Sequence, residues 1–365
     1  MTPDPLLGVG FHWLGGIASA SFYVPYRRVR GWSWEVFWLT GGIVSWLIAP
    51  WLFASLQTRD LLGVIAAAPA SVLLRPILFG ALWGFGGLTY GLTMRYLGLS
   101  LGTAVVLGLC TVFGTLIPPL VQGDFAAKLL ATDSGRIILL GLVFTLSGII
   151  VVAAAGARKD AALSAEAKRA AVAEFDFRKG ILVACFSGIM SSCFAFGLAA
   201  GQPIRTLSAA AGTGPLWTGL PVLCLVMAGG LVTNGIWCAI LMARNRSAGQ
   251  WLGRTRPIAE PGDLGDPGVT QRPPLLSNYM LCALAGLAWY LQFFFYTMGE
   301  SQMGRFGFSS WTLHMASIII FGTLWGFAFR EWRSATTSVR AQVWGGIALL
   351  IVATIVIGYG NRMEV

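Results

Sequence analysis

Charge is what this chain has least of. Only 11% of its 365 residues are Asp, Glu, Lys or Arg, against roughly a quarter in a soluble domain. With 56% of residues hydrophobic, the composition excludes a water-exposed globule and is that of a polytopic membrane protein. Several chemistries are missing as well. There is no G-x-x-x-x-G-K-[S/T] phosphate loop, which argues against ATP-driven work. There is no H-E-x-x-H zinc helix and no pair of acids inside an apolar span, so the chain reads as no enzyme. All six cysteines fall in apolar stretches without a C-x-x-C pair. They read as small packing residues rather than metal ligands, and no metal or other cofactor is expected. Nothing resembles a repeated pore helix or filter. The N-terminal stretch lacks a cationic region followed by a cleavage site, so its first apolar segment reads as a membrane span and not a signal peptide.

A bilayer core takes about 20 apolar residues per helix. Ten stretches meet that need: about 8–26, 34–55, 75–95, 100–121, 135–155, 180–201, 216–242, 275–299, 308–330 and 340–360. The net charge of +10 would suggest nucleic acid in a soluble protein. Here the cations sit in loops, no nucleic-acid partner is expected, and their distribution sets orientation. The loops after helices 1, 3, 5, 7 and 9 hold 3, 1, 6, 5 and 3 of the 25 Lys and Arg. Those loops are expected in the cytoplasm, with both termini on the outer, periplasmic side.

The ten spans repeat as two sets of five. Trp83, Tyr90 and Gly98 on helix 3 recur as Trp289, Tyr296 and Gly304 on helix 8 at the same steps. Phe113-Gly114-Thr115-Leu116 recurs as Phe321-Gly322-Thr323-Leu324. Arg136, Gly141 and Gly156 match Arg340, Gly345 and Gly360, and Gly16-Ile17-x-Ser19-x-x-Phe22 matches Gly188-Ile189-x-Ser191-x-x-Phe194. Gly41-Gly42 is weakly echoed by Gly229-Gly230. A second copy of an odd number of spans enters the membrane from the opposite side. The expected fold is therefore all-α, ten transmembrane helices as two inverted five-helix repeats, a transporter plan with its site at the midplane between the halves. Residues 1–156 form the first repeat, 157–178 a cytoplasmic linker with a short surface helix, and 179–365 the second repeat. A monomer is favoured.

The most informative stretch is Leu287 to Glu300, L-A-W-Y-L-Q-F-F-F-Y-T-M-G-E. Trp289, Gln292, Tyr296 and Glu300 share one helical face. An amide and a carboxylate are costly in lipid unless they face protein or a wet cavity. Aromatic faces with hydrogen-bonding tips suit a sugar, and the competing reading is plain packing with Glu300 at the interface. Trp83 and Tyr90 stand opposite by pseudo-symmetry. Two histidines are available. His12 lies near the outer end of helix 1 and reads as interfacial or functional; His314 sits two turns inside helix 9 and reads as a binding or proton-handling group. Glu35 opens helix 2, where it either favours the helix dipole or serves as a protonatable carboxylate, with Arg95 a possible partner.

The runs F-Y-V-P-Y-R-R-V-R-G-W-S-W-E (22–35), Y-G-L-T-M-R-Y-L-G (90–98), W-Y-L-Q-F-F-F-Y (289–296) and W-T-L-H-M (311–315) resemble the bacterial L-rhamnose–proton symporters of the drug/metabolite transporter superfamily. The resemblance spans all ten helices. It implies a secondary transporter that imports L-rhamnose or a related monosaccharide with protons across the bacterial inner membrane. The expected site uses Trp83, Tyr90, Trp289, Gln292, Tyr296 and His314 for the sugar, with Glu35 first and His12 or His314 second for the proton. Two positions depart from the family pattern, which has Asn where Gly87 stands and His where Glu300 stands. An exporter of amino acids or other metabolites, also found in that superfamily, is the alternative.

Overall fold

The computed structural model describes residues 3–162, 176–254 and 273–363. Ten long helices follow in order: α1 (Pro5–Ser21), α2 (Trp34–Gln57), α3 (Ala70–Leu97), α4 (Leu99–Val121), α5 (Asp133–Ala161), α6 (Phe177–Ala200), α7 (Leu220–Asn245), α8 (Leu275–Ser301), α9 (Ser310–Ala328) and α10 (Thr337–Arg362). Among the described residues nine helices are long and apolar enough to cross a membrane. The remaining one, α1, has 17 residues, the lower limit for a crossing. No strand occurs among the described residues. The surface helix expected in the 157–178 linker falls mostly on residues outside those described, as does most of the loop between α7 and α8.

Capping fixes several boundaries. Asp4 accepts from the backbone N–H groups of Leu6 and Leu7, and Pro5 takes the first helical position. So α1 starts three residues earlier than hydropathy indicates. It also ends sooner, at Ser21, with a separate turn over Tyr23–Tyr26. Thr132 and Thr336 cap α5 and α10. Asp176 caps α6; the Lys179 backbone N–H that it accepts holds its carboxyl below the usual range. Pro118 and Pro119 stand in the last turn of α4, which stops at Val121.

In lipid an apolar side chain gains little by leaving acyl chains for a helix face, so close packing of small residues decides which helices touch. α3 lies against α6 and α7, while α8 lies against α1 and α2. α4 packs on α6, α9 on α1, and α5 on α10. Glycines mark each crossing. Gly80 and Gly229 meet where α3 crosses α7, and Gly41 and Gly286 meet where α2 crosses α8. Gly188 rests on Leu109 of α4, and Gly16 on Ser317 of α9. A methyl group at any of these four contacts would strike the facing helix. Large apolar side chains such as Leu62, Val121, Leu182 and Leu276 stay exposed, a surface costly in water and natural against acyl chains.

Candidate functional site

Both histidines of the chain converge on one tyrosine. His12 on α1 and His314 on α9 are each 0% exposed. Their ring centroids are 6.4 Å apart, and each lies edge-on to Tyr296 of α8, at 5.4 and 5.3 Å. No ring nitrogen of either has a hydrogen-bond partner among the described residues. His12 is thus not interfacial: α8 and α9 close over it. Small residues make that possible. A Cβ at Gly299 would stand 2.7 Å from His12 Nε2, and one at Gly15 would stand 3.4 Å from the His314 ring. Ser317 Oγ reaches the backbone carbonyls of both His12 and His314, at 2.9 and 2.7 Å, which ties the two residues to one hydroxyl. The Trp311 ring lies tilted 6.3 Å from His314 and donates through Nε1 to the Cys110 carbonyl of α4 at 2.9 Å. Gln292, one turn along α8 from Tyr296, is also buried, and its Nε2 has no partner among the described residues.

A second cluster lies further along the same face of α8. Phe22, Tyr26, Trp38, Gly41, Gly42, Ser45, Trp46, Gly286 and Trp289 border a crevice between α2, α8 and the end of α1. It is narrow, with room for about one water molecule, so anything larger enters only as α2 and α8 part. The Trp289 ring packs 4.3 Å from Phe22 and lies parallel to Trp83 at 6.5 Å. Aromatic walls with few polar tips suit an amphipathic ring.

The remaining expected residues are spread more widely. Trp83 reaches this cluster and packs on Phe194 and Phe293. Tyr90 does not. Its hydroxyl bonds Thr103 at 2.8 Å, and its ring packs with Val106 and Ala184 in a separate apolar cluster. Glu35 is buried at the far end of α2, where Ser247 Oγ and Asn245 Nδ2 donate to its carboxylate at 2.6 and 3.1 Å. Glu300 is ion-paired to Arg205 at 2.5 Å, both side chains mostly buried. Glu300, where the resemblance leads one to expect histidine, thus has a guanidinium partner. Gly87 is exposed with no atom within 4 Å of where a Cβ would stand, so it lies on an open face of α3.

Ser45 and Trp46 went unnoticed in the sequence, where α2 was read by Glu35 and its glycine pair. Both sit in a π-helical turn, Val44–Ile48, which no local pattern announces. Among the described residues no group of three or more His, Cys, Asp or Glu could hold a metal ion.

Comparison with known proteins returns one consistent family. The family model described as L-rhamnose-proton symport protein matches residues 1–363. An L-rhamnose-proton symporter of Salmonella gallinarum (strain 287/91 / NCTC 13346) is 36% identical over 355 residues, covering 97% of each chain. Those of Salmonella paratyphi B (strain ATCC BAA-1250 / SPB7) and Salmonella newport (strain SL254) match equally, at 36% over 355 residues and 97% of each chain.

Proposed function

We propose that this chain, which belongs to the L-rhamnose–proton symporter family, carries L-rhamnose or a closely related monosaccharide across the inner membrane together with protons, by alternating access. It is a multi-pass transporter and not an enzyme. The exporter alternative loses ground, since the relatives are named as symporters.

We read the fold as two inverted five-helix repeats, with α1 as the tenth crossing, both termini outside, and the drug/metabolite transporter plan implied. What supports this is that exchanging each helix for the one five places on maps the most extensive helix contacts onto one another. α3 on α6 becomes α8 on α1, α3 on α7 becomes α8 on α2, α4 on α6 becomes α9 on α1, and α5 on α10 maps onto itself. The glycine contacts exchange residue for residue. Gly80 with Gly229 maps to Gly286 with Gly41, and Gly188 on Leu109 maps to Gly16 on Ser317.

The sugar site in this reading runs from the crevice at Trp289 and Trp83 to Gln292 and Tyr296. The proton site is the pair His12 and His314. The observation that carries it is the convergence of the only two imidazoles in the chain on Tyr296, buried and unpartnered among the described residues. An imidazole exchanges protons near neutral pH, and its nitrogens also bond sugar hydroxyls. Coupling requires that sugar and proton favour the same state, because a ligand shifts an equilibrium only by its difference in affinity. Here the sugar-facing residues ride on α8 and the imidazoles on α1 and α9. A movement of α8 against those two helices alters both sites together.

A second reading keeps Glu35 as the coupling carboxylate. Its burial, with two neutral donors on its oxygens, favours it. Uptake of labelled L-rhamnose by membrane vesicles, with and without an inward pH gradient, tests the function. We expect accumulation with the gradient only. Accumulation that ignores the gradient contradicts proton coupling. Glu35→Gln should still concentrate the sugar if the histidines couple; loss of accumulation in that variant, with exchange intact, moves the role to Glu35.

A further inference from the structure

We propose that the π-helical turn of α2 carries the hydroxyl-reading subsite for the sugar, with Ser45 Oγ and Trp46 Nε1 as its donors and Trp289 Nε1 facing them across the crevice. The inference rests on the reading that the chain transports a 6-deoxy hexose, and it names residues to which neither the family resemblance nor the sequence pattern drew attention.

Three observations carry it. First, Ser45 and Trp46 are 1% and 2% exposed in the middle of a membrane span, and they border the crevice together with Trp289. The Ser45 hydroxyl and the indole N–H groups of Trp46 and Trp289 have no partner among the described residues. A buried donor left unpaired is costly, and three around one crevice mark a place built for an acceptor-rich guest. Second, the turn is π-helical. Such turns are rare, hold one residue more than an α-turn and concentrate at functional sites. This one displaces Ser45 and Trp46 from the regular face of α2, while Gly42 leaves space against which the Trp46 ring lies.

Third, the equivalent crossing in the other half has no such donors to spare. In the proposed repeat Ser45 and Trp46 correspond to Thr233 and Asn234 on α7. Thr233 Oγ1 donates to the Ala81 carbonyl at 2.8 Å. Asn234 Nδ2 donates to the Gly230 carbonyl at 3.0 Å, and its Oδ1 accepts from Trp38 Nε1 at 3.1 Å. Both places are polar, yet only the α2 side keeps its donors unspent. The crevice also has an apolar end, walled by Phe22 and Tyr26, which suits the methyl group of a 6-deoxy sugar while the hydroxyls meet Ser45 and the two indoles.

The test is competition against labelled L-rhamnose by 6-deoxy sugars that each lack one further ring hydroxyl, in vesicles bearing the parent protein, Ser45→Ala or Trp46→Phe. Ser147→Ala, on the exposed face of α5, serves as the insertion control. In the parent we expect at least one analogue to compete about tenfold more weakly than L-rhamnose, the usual consequence of a buried donor losing its acceptor. Ser45→Ala should raise the KM for L-rhamnose about tenfold and erase most of the discrimination against that analogue. Trp46→Phe should do the same for that or a second analogue. If the parent takes up no L-rhamnose, the transport reading fails. If the parent takes it up and both variants keep its KM and its discrimination, the subsite does not exist. If Trp46→Phe fails to reach the membrane, Ser45→Ala, which loses a single oxygen, decides the matter alone.

Discussion

The junction of α1, α8 and α9 and the junction of α6, α3 and α4, equivalent in the proposed repeat, differ in their chemistry. At the first, His12, Tyr296 and His314 meet, buried, with their ring nitrogens unpaired among the described residues. At the second, the positions that correspond in the proposed repeat are Ala184, Tyr90 and Val106, which pack together as an apolar cluster. Only the tyrosine is kept, and there its hydroxyl is spent on Thr103. Gln292 likewise corresponds to Gly86, which packs tightly on Ser191. In the proposed repeat the scaffold is duplicated and the reactive groups are not. An inverted repeat needs matching helix contacts to exchange its inward- and outward-open states. A substrate and a proton need one site each.

That difference predicts which substitutions act alike and which do not. The largest effects should be symmetric. Gly286→Val and Gly80→Val each put side-chain atoms into the backbone of a facing helix, and overpacking of this kind costs about 1–3 kcal/mol or more. Both variants should lose most of their folded protein in membranes, measured by thermal stability in detergent. One tolerated and the other not would break the symmetry of the scaffold. Next come changes that strike one copy only. Gln292→Ala should raise the KM for L-rhamnose about tenfold, the scale of losing a hydrogen-bonding group from a polar site. An unchanged KM removes Gln292 from the site. The smallest effect is expected at Tyr90→Phe. It forfeits one hydroxyl bond worth about 1 kcal/mol of stability and should change uptake less than twofold. A tenfold fall there would give Tyr90 the substrate role that its pseudo-symmetry with Tyr296 suggests and make the two junctions functionally alike.

Much of the scaffold was legible in the chain itself. Hydropathy located the helices to within a few residues, because lipid imposes a length on each apolar run. The missed start of α1 came from Asp4, a capping side chain that hydropathy does not weigh. Some of the repeat-matched glycines, Gly16, Gly41, Gly188 and Gly229, sit at helix crossings, whereas Gly322 and Gly345 have nothing within 4 Å of where a Cβ would stand. The face of α8 was legible too, as Trp289, Gln292 and Tyr296 all turn toward other helices rather than lipid. What stayed hidden is tertiary. His12 and His314 are about 300 residues apart, and nothing local says that they share a tyrosine. The guanidinium beside Glu300 comes from Arg205, on a short helix after α6. The π-turn at Ser45 sets the Trp46 ring against Gly42 and leaves no mark in the residue pattern.

The central claim is that one junction of two carries the proton. Sugar-dependent proton movement, followed with a pH-sensitive dye in lightly buffered proteoliposomes, tests it most directly. Adding L-rhamnose to the parent should draw protons across the membrane with the sugar. In His12→Gln and His314→Gln, L-rhamnose exchange should persist while that proton signal falls at least tenfold. Variants that lack either imidazole and still move protons with the sugar at the parent's ratio would contradict the account.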